Sequence, residues 1–69
     1  MNIGQQIKYH RELQGLSMQE LSRRANIAQS GISTIESGKR QPTFEVLEKI
    51  VSALNISWAD LFVEEPPNT

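Results

Sequence analysis

The sequence predicts an all-α domain of five short helices packed at mixed crossing angles, on three observations. No stretch shows the two-residue alternation of a half-buried strand, whereas Leu47, Ile50, Val51 and Leu54 form an i, i+3, i+4, i+7 stripe. Helix-start residues recur at Ser17, Thr43 and Ser57, and helix-stop residues at Gly15, Asn26, Gly38 and Asn55. The intervals between them are too short for the long helices of an up-and-down bundle.

Taken in order, Asn2 is a suitable N-cap for a first helix running to residue 13 or 14, and Gly15 supplies a left-handed stop. Ile3, Ile7, His10 and Gln14 follow its inward stripe, and Leu13 lies off it, expected to be exposed. His10 is the only histidine, and its expected role is a half-buried side chain with one hydrogen bond. Leu16 precedes a second helix in which Ser17 and Glu20 make a capping box, with Leu21 and Ala25 facing inward beside Met18. Asn26 tolerates the positive φ of a tight turn, and Ile27 plugs the corner.

A third helix starting near Ala28 places Ala28, Ile32 and Ile35 on one face and Gln29, Ser30, Ser33, Thr34 and Ser37 on the other. The loop 37–42 follows, closed by Gly38 and Pro42. Thr43 then caps the fourth helix, 44–54, which carries the clearest core stripe. Ile56 turns inward, and Ser57 with Asp60 opens a last helix from Trp58 to about residue 63, with Leu61 and Phe62 as core anchors. Residues 64–69 contain no core former and read as a frayed tail or the start of a linker.

Composition narrows function. A chain of 69 residues is one small domain with little room for an internal ligand cavity. It has no cysteine, which removes disulfides and thiolate metal sites, and it shows no signal peptide or membrane span. A net charge of −1 argues against indiscriminate binding of nucleic acid. The charges are unevenly spread: Arg23, Arg24, Lys39 and Arg40 flank the third helix, while Asp60, Glu64 and Glu65 gather at the far end. The outer face of the third helix carries neither the Lys nor the Glu usual on a solvated helix. Short amides and hydroxyls in a row suit the reading of base edges in a groove.

Residues 18–37 resemble the helix-turn-helix of the repressor/Cro-type (XRE-type) DNA-binding family, and the similarity extends over roughly residues 3–63. It is carried by apolar Leu21, Ala25, Ile27, Ile32 and Ile35, small Ser22 and the turn residue Asn26. The Gly15-Leu16-Ser17 opening, Glu36-Ser37-Gly38-Lys39 and the Pro42-Thr43 helix start add to it. The chain departs from the family at Met18, where many relatives carry a phosphate-binding glutamine, at Asn26, where glycine is usual, and at His10, where leucine is common.

The resemblance implies a compact five-helix, lambda-repressor-like DNA-binding domain over residues 1–63, its helix-turn-helix formed by the second and third helices, followed by a flexible acidic and Pro-rich tail, 64–69. It places the start of the third helix in the major groove. Gln29 is then the principal base reader, through a bidentate amide contact to adenine, helped by Ser30, Ser33 and Thr34. The Gln29-Ser30-Gly31 triplet is similar to that of lambda repressor, whose glutamine and serine contact bases. Phosphate contacts fall to Asn2, Gln19, Arg23, Lys39 and Arg40, with solvation of the second helix as the other role open to Arg23 and Arg24. Arg11 and Glu36 match a partly buried ion pair of the family. Ile56, Trp58 and Val63 match the region through which relatives form two-fold dimers.

The implied function is sequence-specific transcriptional regulation, most simply repression, by a homodimer on a pseudo-palindromic double-stranded operator. The expected setting is the cytoplasm of a bacterium, with the gene bacterial or phage-borne, and no cofactor or metal is required. The competing expectation is an antitoxin-type module that holds a toxin, antirepressor or other protein partner, with DNA binding secondary; the acidic balance and Met18 keep it open. An enzyme has no candidate constellation, since one histidine, no cysteine and no phosphate-binding glycine loop leave none.

Overall fold

Ser17, Thr43 and Ser57 each start a helix, and each hydroxyl accepts the backbone N–H three residues on, from Glu20, Val46 and Asp60 at 3.1, 3.2 and 3.2 Å. Glu20 and Asp60 return the bond to the cap N–H at 2.9 and 3.0 Å, completing two capping boxes. The computed structural model describes residues 3–62. Asn2, Val63 and the 64–69 tail lie outside the described residues. Among those described there are five helices and no strand: α1 (Ile3–Leu13), α2 (Met18–Ala25), α3 (Gln29–Glu36), α4 (Phe44–Leu54) and α5 (Trp58–Leu61).

The first four helices end in the same way. Gly15, Asn26, Gly38 and Asn55 take φ of 72°, 58°, 85° and 56°. In each case the next residue's N–H reaches back five positions: Leu16 to Arg11 O, Ile27 to Ser22 O, Lys39 to Thr34 O and Ile56 to Val51 O, all within 3.2 Å. These are Schellman turns, in which the residue after the left-handed position usually folds an apolar side chain back onto the helix. Leu16, Ile27 and Ile56 do so, buried or packed against the core. The exception is Lys39, which is exposed.

α1 packs against α3, α4 and α5, and α2 against α3 and α4. Ile7, Leu21, Ile32, Ile50, Leu54 and Leu61 are fully buried where these faces meet, and Leu47 and Val51 complete the α4 stripe. Burying one such side chain stabilises by roughly 1.5–3 kcal/mol. The Gln14 amide donates to the Leu54 carbonyl at 2.6 Å, tying the end of α1 to the end of α4.

Several expectations are corrected. Ala28 is not on the buried face: it is the exposed N-cap of α3 and makes no side-chain cap bond. The last helix stops at Leu61 after a single turn, and Phe62, expected in the core, is 44% exposed. Gln14 is exposed apart from its amide contact. His10 is half-buried as expected, but its Nε2 finds no hydrogen-bond partner among the described residues, and its ring packs edge-on to Tyr9. Two buried positions of α1 escaped the apolar stripe, Gly4 and Gln6.

Candidate nucleic-acid interface

The α2–α3 unit is built from the two helices and the Asn26–Ala28 turn between them. Asn26 closes α2 in the left-handed conformation, and the N–H groups of Gly31 and Ile32 bond the Ala28 carbonyl at 3.0 and 3.2 Å to open α3. Ile32 and Ile35 sink into the core, which turns Gln29, Ser30 and Ser33 outward, all exposed. Thr34 is half-buried, and its hydroxyl lies 3.1 Å from both the Ser30 and Gly31 carbonyls. Its proton is therefore engaged inside the helix, leaving the oxygen lone pairs and the methyl for an outside contact.

The far end of α3 is gripped by α1. Glu36 and Arg11 are 7% and 6% exposed. The Arg11 guanidinium donates from Nε to Glu36 Oε2 at 2.7 Å and from Nη2 to Oε1 at 3.0 Å, a bidentate pair, and from Nη1 to the Leu16 carbonyl at 2.8 Å. The hydrogen bond to Glu36, opposed by burial, raises the guanidinium above its already high pKa. Nearby, a β-carbon at Gly4 would overlap the Ile35 carbonyl oxygen and lie 3.0–3.1 Å from the Glu36 backbone. α1 and α3 thus touch backbone to backbone.

The basic loop is tied back onto α3, chiefly at one atom. The Thr34 carbonyl accepts the N–H of Lys39 at 3.0 Å and of Arg40 at 3.2 Å, and the Ser37 hydroxyl at 3.0 Å. Lys39 and Arg40 are exposed. Because their backbone is fastened to the middle of α3, the cations and the polar face belong to one rigid piece. A cleft of about 150 Å³ lies between this loop and the start of α1, walled by Ile3, Gly4, Ile35 and Arg40 among others.

The other predicted residues divide. Gln19, Arg23 and Arg24 are exposed on α2. Met18 is half-buried and packs against the core. Ile56 is packed against the core, and Asn2 and Val63 lie outside the described residues. Trp58 is stacked with two rings: Phe44 at a centroid distance of 5.1 Å and 7° between planes, and Phe62 at 5.8 Å and 9°. Phe44 is 71% exposed, so the stack is an open apolar surface reaching from the start of α4 to the end of α5. Of the three rings, only Trp58 is expected from the sequence at an interface, beside Ile56 and Val63; Phe62 is expected in the core and Phe44 only as the start of the fourth helix. Among the described residues, no group of three His, Asp or Glu could hold a metal ion, and no helix is long and apolar enough to cross a membrane.

An eight-residue polar helix, presented after a tight left-handed turn and backed by four others, is the fold of a helix-turn-helix DNA-binding domain. The sequence profile described as Helix-turn-helix matches residues 7–61, and the chain belongs to that family. It is 38% identical over 64 residues to the HTH-type transcriptional regulator SinR of Bacillus subtilis, covering 91% of this chain and 58% of SinR. It is 32% identical over 65 residues to the immunity repressor protein of Bacillus phage phi105, covering 94% of this chain and 45% of the repressor. The chain thus spans about half the length of these two relatives. Among solved structures, the restriction-modification controller protein C.AhdI from Aeromonas hydrophila superposes with a TM-score of 0.85 at 28% identity, over 88% of this chain and 92% of that one. SinR in complex with DNA gives 0.76 at 39% identity, over 80% and 89%. The family is one of transcriptional regulators and not of enzymes.

Proposed function

We propose that this protein is a sequence-specific regulator of transcription, most simply a repressor by occupancy, that sets α3 in the major groove of a pseudo-palindromic operator as a homodimer in the cytoplasm of a bacterium. The observation that carries the reading is the uncharged outer face of α3, with Gln29, Ser30 and Ser33 exposed on a helix whose other face is fixed by buried Ile32, Ile35 and Glu36. Gln29 reads a base through its amide; Ser30, Ser33 and Thr34 make shorter contacts. Lys39, Arg40 and Arg23 neutralise phosphates, and Gln19 and Asn2 donate hydrogen bonds to phosphate oxygens. Lys39 supports this assignment by its place: it occupies the one Schellman position of four where the fold forgoes an apolar plug for a solvated cation.

The homodimer places two reading helices about 34 Å apart, one turn of DNA, the spacing that lambda and 434 repressors exemplify. The Phe44–Trp58–Phe62 stack is the surface offered to the second copy, since aromatic residues are enriched in such contacts. The same surface suits the competing module that holds a protein partner. Two experiments divide them. Selection from a random DNA pool at low salt enriches a two-fold symmetric site if the regulator reading is right; no enrichment refutes it. Sedimentation of the isolated protein shows a dimer that Trp58→Ala shifts to monomer, while a monomer at all concentrations refutes the dimer.

A further inference from the structure

We propose that Gly4 is a positioning residue for the reading helix, an assignment that rests on the DNA-reading role of α3 given above. Gly4 lies in the first turn of α1 and is buried. Glycine inside a helix is normally a liability, because it loses more backbone freedom on folding than any other residue. The neighbouring chain explains it. An added β-carbon would overlap the Ile35 carbonyl oxygen and stand 3.0 Å from the Glu36 oxygen and 3.1 Å from Glu36 Cα. All three atoms are backbone, so no change of rotamer relieves the contact.

The atom that would be struck has its own task. The Ile35 carbonyl accepts the Gly38 N–H at 3.1 Å, which sets the left-handed turn leading into Lys39 and Arg40. α1 therefore holds the last turn of α3 at two points: Gly4 sets how close the helices come, and Arg11 grips the Glu36 carboxylate. Gly4, Ile35, Gly38 and Arg40 also wall one cleft, so the spacing of α1 from α3 is the spacing of α1 from the basic loop. A larger residue at position 4 drives the end of α3 and the loop fastened to it away from α1 as one piece, and Gln29 loses its registry with the phosphate contacts proposed on α2.

The test combines a contact, a structure and a binding ratio. In the wild-type protein, nuclear Overhauser spectra show cross-peaks between the Gly4 α-protons and protons of residues 35 and 36; the absence of all of them overturns the proposal. In Gly4→Ala, amide shift changes centre on residues 35–40, and discrimination between the selected operator and random DNA falls about tenfold or more, the equivalent of one good base contact. The matched control is Lys8→Ala, an exposed site on the same helix, which leaves both unchanged. Measurements run below the melting temperature of each variant, with an excluded osmolyte restoring the fold where Gly4→Ala needs it. Undisturbed shifts at 35–40, or full discrimination in the folded variant, refute the positioning role. Failure of the wild-type chain to select any DNA refutes instead the reading on which it rests, and the cross-peaks and shifts still judge the packing.

Discussion

Glu36→Gln keeps the shape of the side chain and removes its charge, which isolates what the carboxylate does for Arg11. Two of the three strong guanidinium bonds, from Nε at 2.7 Å and Nη2 at 3.0 Å, end on that carboxylate. An amide can accept from one side only and turns an N–H donor toward the other, so a buried cation loses its counter-charge and one partner. Breaking a buried pair from one side costs about 3–5 kcal/mol. A domain of this size is stable by roughly 3–10 kcal/mol in total, so the variant stands near the edge of folding. At about 4–8 °C per kcal/mol, the melting temperature drops by about 12–40 °C. Thermal and urea unfolding followed by circular dichroism measure it. The double variant Arg11→Met with Glu36→Leu removes both charges and recovers most of the loss, because an apolar pair in the same space carries no desolvation penalty. A cost below about 1 kcal/mol for Glu36→Gln, the value of an exposed pair, refutes the reasoning. So does a double variant no more stable than the single one.

Three further outcomes follow from the same geometry. Lys39→Ala and Arg40→Ala weaken operator and random DNA alike and each flatten the log affinity against log salt slope by about one unit, read by fluorescence titration at several salt concentrations. Glu20 and Asp60 lie below the ordinary carboxylate range, each chiefly because it accepts the N–H of its cap serine and then that serine's hydroxyl. A depressed native pKa gives stability that is complete above the unfolded value, about 4, and is lost as pH falls through the native value, so acid weakens the fold below about pH 4 and the Glu20→Gln, Asp60→Asn double variant shows a shallower loss in melting temperature there. Gly38→Ala forces a β-carbon into φ 85° with no neighbour within 4 Å to relieve or worsen it, so it costs about 1–2 kcal/mol in urea unfolding, from backbone strain alone.

The helices of this chain were legible because their signals are local. Ser17 with Glu20, Thr43, and Ser57 with Asp60 cap where their spacing indicates, and Asn26 and Asn55 take the positive φ that asparagine tolerates. The α4 stripe is buried at all four of its positions. What was missed depends on the approach of segments far apart in sequence. Gly4 carries a hint, a glycine within a helical pattern, but only the crossing with α3 gives it meaning. Gln6 is polar, so apolar periodicity passes over it. Phe62 looks like a core residue by type, yet α5 ends one residue earlier and releases it onto the Trp58 face. For the interface, the residue types of α3 pointed outward as read, while the fastening of the basic loop to the Thr34 carbonyl lies in the backbone, where side-chain patterns are silent.

Base reading by Gln29 is tested most directly by comparing Gln29→Ala with wild type on the selected operator, on that operator altered one base pair at a time, and on random DNA. The account predicts a loss of about 1–3 kcal/mol on the operator, near-unchanged binding to random DNA, and indifference at a single base pair that the wild type distinguishes. Equal losses on operator and random DNA, with every base-pair preference retained, would contradict it.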